Sequence, residues 1–240
     1  MRDGEDNNLI SEWNEKYRNT DILNVLTNMC ELFSQKVVFS TSFNIEDQVI
    51  THFIAKYRLP IDIFTLDTGR MFQEVYSVWN ETEKKYGIKI KAYFPDAKDV
   101  EEMVNKQGIN GFYESIENRK KCCEVRKIKP LQRALQNKKV WITGIRAEQS
   151  EFRKNFSMFE WDNKFQIMKC NPLIYWTIDE VKSFIHKNDV PYCSLFDKGF
   201  VSIGCAPCTR AIQKGEPYRS GRWWWENSDE GKKECGLHLK

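Results

Sequence analysis

A chain of 240 residues with 37 basic and 34 acidic side chains has a formal net charge of only +3, which excludes the strongly basic profile of a nucleic-acid-coating protein. Hydrophobic residues at 41% and charged residues at 30% suit a soluble globular enzyme and exclude both a disordered chain and a membrane-embedded one. The length fits one domain plus a tail. No apolar leader or membrane-length segment stands in the sequence, so a cytoplasmic protein is expected, in which eight cysteines point to metal binding or catalysis rather than disulfides.

Asp21 precedes Ile22, Leu23, Val25, Leu26, Met29, Cys30 and Phe33 at helical spacing, predicting a capped amphipathic helix with Cys30 on its buried face. The apolar run Lys36–Phe39 predicts a strand. It passes through Ser40-Thr41-Ser42-Phe43-Asn44 into a helical pattern from Glu46 to Tyr57. A helix N-terminus facing a strand's carboxyl end offers free N–H groups and a favourable dipole to phosphate, and hydroxyls add donors. The loop lacks the glycines and G-K-[ST] ending of a Walker A loop.

The pattern repeats as strand Ile61–Leu66, loop Asp67-Thr68-Gly69 and a helix from Met71 to Tyr86, then strand Ile88–Tyr93. Asp99–Lys106 and Pro130–Leu135 read as helices, and Lys139–Thr143 as a strand delivering Gly144-Ile145-Arg146 and a polar loop to the same edge, where Arg146 and Arg153 could clamp an anion. Phe159–Cys170 reads as a hairpin around Asp162-Asn163, and Thr177–Glu180 as a capping box. Strands alternating with helices predict an α/β fold with a doubly wound, mostly parallel sheet, binding ligands beyond the strands' carboxyl ends. Cys170, Cys193 and His186 fall outside any motif and read as structural.

The last quarter differs in composition. Cys205-Ala206-Pro207-Cys208 is followed by Arg210, Lys214, Arg219 and Arg222 against one acid, Glu216, a local charge suited to an anionic ligand. With the distant pair Cys122-Cys123 it could form a Cys₄ site for zinc or a [4Fe–4S] cluster. An adjacent pair fits a single ion's geometry poorly and separate cluster corners better. Cys235, flanked by Lys232, Lys233 and His238, has no neighbouring cysteine and suits a nucleophile.

From Val37 to the C-terminus the chain resembles the assimilatory sulfonucleotide reductases, in particular the iron–sulfur adenylyl-sulfate (APS) reductases. The carriers are Ser42-Phe43 with Glu46-Asp47, Leu66–Gly69, Cys122-Cys123 with Arg126-Lys127, Thr143–Arg146 with Glu148–Ser150, Cys205-x-x-Cys208 and Glu234-Cys235-Gly236-Leu237-His238. Single loops also fit the wider adenine-nucleotide pyrophosphatase-like superfamily, whose sheet type is therefore expected. The resemblance implies a [4Fe–4S] cluster on Cys122, Cys123, Cys205 and Cys208. It implies attack of Cys235 on APS to release AMP, and reduction of the resulting S-sulfocysteine by thioredoxin or a glutaredoxin-like donor to give sulfite. Thr41, Ser42 and Leu66 would frame the nucleotide. Arg146, Arg219, Arg222 and Lys127 would meet its anionic end, and His238 would cover the closed site. The expected organisation is residues 1–222 as one nucleotide- and cluster-binding domain and 223–240 as a mobile tail, with homo-oligomerisation left open. Asn44 stands where the family more often has Gly, and its tolerance of positive φ is expected to preserve the turn. Competing readings are use of the 3′-phosphorylated substrate, PAPS, and a non-catalytic Cys₄ zinc module binding nucleic acid.

Overall fold

The computed structural model of the protein describes residues 3–226 and Leu237. Six strands form one sheet in the order β3-β2-β1-β4-β6-β5. These are β1 (Val37–Ser40), β2 (Asp62–Leu66), β3 (Lys91–Tyr93), β4 (Val140–Ile142), β5 (Phe159–Asp162) and β6 (Ile167–Cys170). Every neighbouring pair is parallel except the β5–β6 hairpin, which is antiparallel with Phe159 opposite Cys170. The hairpin's turn follows from Asp162, whose Oδ1 accepts the backbone N–H groups of Lys164 and Phe165.

The central strands are buried on both faces, which is why they read as short continuous apolar runs. Val37, Phe39, Val140 and Ile142 face the larger core, whereas Val38, Trp141 and Phe64 face a smaller one. Helices supply the cover: α2 (Ile22–Phe33), α3 (Ile45–Lys56), α4 (Gln73–Tyr86), α5 (Ala97–Gln107), α6 (Ile116–Cys123), α7 (Lys129–Leu135) and α8 (Ile178–Lys187). The start signals act as their residue types predict. Asp21 accepts the Asn24 N–H at the head of α2, and Thr177 and Glu180 cap α8 reciprocally.

Helix α1 (Asp3–Lys16) precedes the first element that the sequence predicts, the helix capped by Asp21. Its Asn14 side chain donates to the Phe159 carbonyl and accepts the Phe159 N–H, both at 2.9 Å, so the helix completes the ladder of edge strand β5. Trp13 packs edge-on against Phe159 at 5.4 Å. A second difference lies between α6 and α7, where Glu124–Ile128 forms a π-helical turn directly after Cys122-Cys123. Such turns add a residue to the helix and re-aim the side chains that follow; here those are Arg126 and Lys127.

The folded body also reaches beyond residue 222. Trp223 is 1% exposed, and the buried carboxylate of Glu226 accepts from Arg119 Nε at 2.7 Å and Nη2 at 3.0 Å. Arg119 in turn lies 4.5 Å from the Trp223 ring centroid. Packing therefore holds 223–226 to α6, inside the span that the sequence reading assigns to the tail. Among the described residues, no helix is long and apolar enough to cross a membrane.

Candidate active site

The sheet order reverses direction at β1 and β4, the point at which an open α/β sheet leaves a crevice. A cavity of about 190 Å³ opens there. Its floor is the loop after β1. Thr41 Oγ1 accepts the Phe43 N–H at 3.1 Å, and Phe43 takes φ 60° to turn the chain into α3. Asn44 has φ −68°, so the left-handed residue is Phe43 and the expected role of Asn44 in a positive-φ turn is corrected. Ser42 donates through both its N–H and its hydroxyl to Asp47 Oδ2 at 2.7 Å. Burial pushes the Asp47 carboxyl up to about 7; hydrogen bonds from Ser42 and the Asn44 backbone oppose this, and the nearby Glu46 charge adds to it. Across the cavity, Gly144 lies so close to Asp47 that a Cβ would collide with its carboxylate.

Thr41, Ser42, Leu66, Lys127, Arg219 and Arg222 all border this one cavity. They come from four separate regions of the chain. Leu237 borders it as well and packs against the smaller core. Cys235 and His238, the proposed nucleophile and cover, lie outside the described residues.

Arg146 is placed differently from its expected position. It is 1% exposed and does not border the cavity. Its Nε donates to Glu46 Oε1 at 2.9 Å and its Nη1 to Glu148 Oε2 at 2.9 Å. Glu46 also accepts from Gln149 Nε2 at 3.0 Å and from the Tyr218 hydroxyl at 3.3 Å. Gln149 accepts a short hydrogen bond from Arg153, and it is Arg153 that reaches the cavity. Arg146 therefore braces the wall, while Arg153 offers the cationic face.

The four cysteines of the two motifs are brought together. Cys122, Cys123, Cys205 and Cys208 border one small enclosed cavity with Arg70, Arg119, Arg126 and Lys127. Lys127 and Cys205 border both cavities, so the two are neighbours across a thin wall. The Thr68 hydroxyl lies 3.3 Å from Cys205 Sγ, and the Thr68 carbonyl accepts from Arg126 at 2.6 Å. Burial opposes ionisation of Cys205, yet Lys127, the Thr68 hydroxyl, Arg222 and Arg126 outweigh it and hold this thiol below its usual range. Burial and the Cys205 charge instead push Cys208 up to about 12.

Two observations bear on what the cysteines could hold. The four thiols line the wall of one shared cavity. Around that space Arg126 Nε and Trp223 Nε1 are buried donors without a partner among the described residues, and Arg222 Nε is another at the neighbouring crevice. Buried orphan donors are costly unless an anionic group answers them. This donor set fits a polynuclear thiolate-bound group.

Nucleotide-loop crevice and cysteine quartet together define a sulfonucleotide-reductase-like α/β enzyme, and sequence comparison agrees. Residues 36–211 match the phosphoadenosine phosphosulfate reductase domain, and the chain belongs to that family. It is 47% identical to the adenosine 5′-phosphosulfate reductase of Agrobacterium fabrum over 85% of this chain and 78% of that protein. To the enzyme of the same name from Allochromatium vinosum it is 46% identical, covering 93% of this chain and 86% of the other. Among solved structures, the phosphoadenylyl-sulfate reductase of Candida auris, in a phosphate complex, superposes with TM-score 0.72 at 27% identity. That match covers 85% of this chain and 96% of that one.

Proposed function

We propose that the protein reduces adenylyl sulfate to sulfite and AMP in assimilatory sulfate reduction, in the cytoplasm, with Cys235 as nucleophile and thioredoxin or a glutaredoxin-like protein as reductant. The observation that carries this reading is the shared wall: a crevice lined by Thr41, Ser42, Lys127, Arg219 and Arg222 abuts the four cysteines through Lys127 and Cys205.

In the first step the Cys235 thiolate attacks the sulfur of APS. An S–S bond forms, the S–O bond to phosphate breaks, and AMP leaves with the bonding electron pair. In the second, a thiolate of the reductant attacks Cys235 Sγ and sulfite departs. The reductant's second thiol then resolves the mixed disulfide, returning Cys235 as a thiolate and leaving the reductant oxidised. Because AMP is a good leaving group, the chain's contribution is orientation, charge neutralisation and exclusion of water. Lys127, Arg153, Arg219 and Arg222 supply charge at the cavity, and the Ser42 loop and Leu66 frame the nucleoside. A [4Fe–4S] group on Cys122, Cys123, Cys205 and Cys208 would supply a fixed anionic charge beside Lys127, which orders the cationic wall.

Initial rates on APS and PAPS with thioredoxin test the substrate. Preference for APS is expected, and exclusive use of PAPS would overturn the assignment. Iron analysis tests the cofactor: a brown protein supports it, whereas colourless, zinc-loaded protein contradicts it.

A further inference from the structure

We infer that Asn44 is a positioning residue that latches the nucleotide loop to the C-x-x-C segment, so that nucleotide in the crevice is felt at the buried cysteines. The inference rests on the crevice binding the AMP half of the substrate.

Asn44 occupies the N-cap position of α3, a place where an Asn side chain normally accepts a hydrogen bond from its own helix. Here its side chain makes no such bond. Its Oδ1 accepts the Ile203 N–H at 3.0 Å, and its Nδ2 donates to the Ile203 carbonyl at 3.2 Å. The carboxamide thus pairs with one residue's backbone as a neighbouring strand would, across 159 residues of sequence. Nδ2 also donates to Ser42 Oγ at 2.8 Å, and Ser42 is held by Asp47.

On the far side the linkage is stiff. Gly204 follows Ile203, and the Arg222 guanidinium sits so close that any Cβ there would collide with it. The Gly204 N–H donates to Thr209 Oγ1 at 3.2 Å, and that hydroxyl donates to the Cys205 carbonyl at 3.0 Å. The Cys208 N–H donates to the same carbonyl at 2.9 Å, and the Ala206 N–H to the Arg70 carbonyl at 2.8 Å. Ile203 is thus tied through Gly204 and Thr209 to the turn Ala206–Cys208, which Arg70 holds from its other side. Glycine at position 44 could make neither side-chain bond. The coupling is a property of this chain's own residue.

Coupling between two sites is reciprocal in binding free energy. The test is amide hydrogen exchange on the as-purified holoprotein with and without saturating AMP, comparing wild type with Asn44→Ala. Two segments are read: 40–47, at the crevice, and 206–210, none of whose residues borders it. In wild type, AMP is expected to slow exchange several-fold in both. In Asn44→Ala, protection of 40–47 is expected to persist at saturation while that of 206–210 falls to the level without AMP. The KM–kcat split gives a second readout: the variant is expected to lose more in kcat than in KM. If Asn44→Ala does not fold, Asn44→Asp, which cannot donate to the Ile203 carbonyl, is expected to show the same loss in part. Equal protection of 206–210 in wild type and variant would overturn the latch. So would a wild type that binds AMP without protecting 206–210. A wild type whose 40–47 segment does not respond to AMP would overturn the underlying nucleotide reading, and the latch with it.

Discussion

The nucleotide end and the cysteine end of this molecule share a wall but are built in opposite ways. The floor of the first is made by the loops that leave β1, β2 and β4, each close in sequence to the strand that aims it, and Lys127, Arg219 and Arg222 close it from elsewhere in the chain. The second joins one helix end and one turn about eighty residues apart, held by buried arginines and tryptophan. A loop site at a sheet edge forms wherever the sheet forms. A site of buried thiols and cations requires its charges to be balanced before it can close. Lys127 is common to both, and the π-helical turn that carries it begins at the residue after Cys123.

Substitutions at each end separate their contributions. Cys235→Ser is expected to abolish sulfite formation, by on the order of 10⁴-fold or more, while leaving iron content and AMP affinity unchanged. Retained turnover in a sulfite assay would remove Cys235 from the chemistry. Cys122→Ser addresses the cysteine end alone, since Cys122 does not border the nucleotide crevice. Loss of iron with AMP affinity preserved by calorimetry is expected; loss of both would mean that the two ends form one unit. Lys127→Ala touches both ends and should lower the single-turnover rate of sulfonation on the order of 10²-fold. A normal rate together with normal APS affinity would exclude its electrostatic role.

Glu46→Gln leaves Arg146 buried without its main counter-charge. Because Glu148 still pairs with Arg146 from a half-exposed position, the expected loss is near the low end for breaking a buried pair, about 3 kcal/mol by denaturant unfolding. Asp47 gives an effect that depends on pH. Its pKa is raised in the folded protein to about 7 from an ordinary 3.8, so between those values the folded state binds more protons than the unfolded. Stability contributed by the protonated carboxyl is therefore lost as pH rises from about 4 to about 7. Asp47→Asn should flatten the pH dependence of unfolding across that window, and an unchanged slope would contradict the assignment.

Much of the sheet was legible because alternation of apolar runs with capped helices is a local signal. Asp21, Thr177 and Asp162 perform at their positions what their side chains predict. Helix α1 was not legible: its contacts, through Trp13 and Asn14, are with Phe159, and nothing local announces them. The gathering of Thr41, Ser42, Leu66, Lys127, Arg219 and Arg222 at one crevice followed the motif resemblance. The direction an arginine faces did not. Arg146 and Arg153 share one polar loop, and only the distant Glu46 decides that the first turns inward and the second borders the crevice. Asn44 was singled out for a backbone angle it does not adopt, while its side chain makes the contact of consequence.

The central claim is that Cys235 takes the sulfonate from APS before any reductant acts. Anaerobic incubation of iron-replete protein with APS alone, followed by intact-mass analysis and peptide mapping, tests it most directly. A sulfonate adduct on Cys235 with release of AMP is expected. Iron-replete protein that turns over with thioredoxin yet carries no adduct on Cys235 would contradict it.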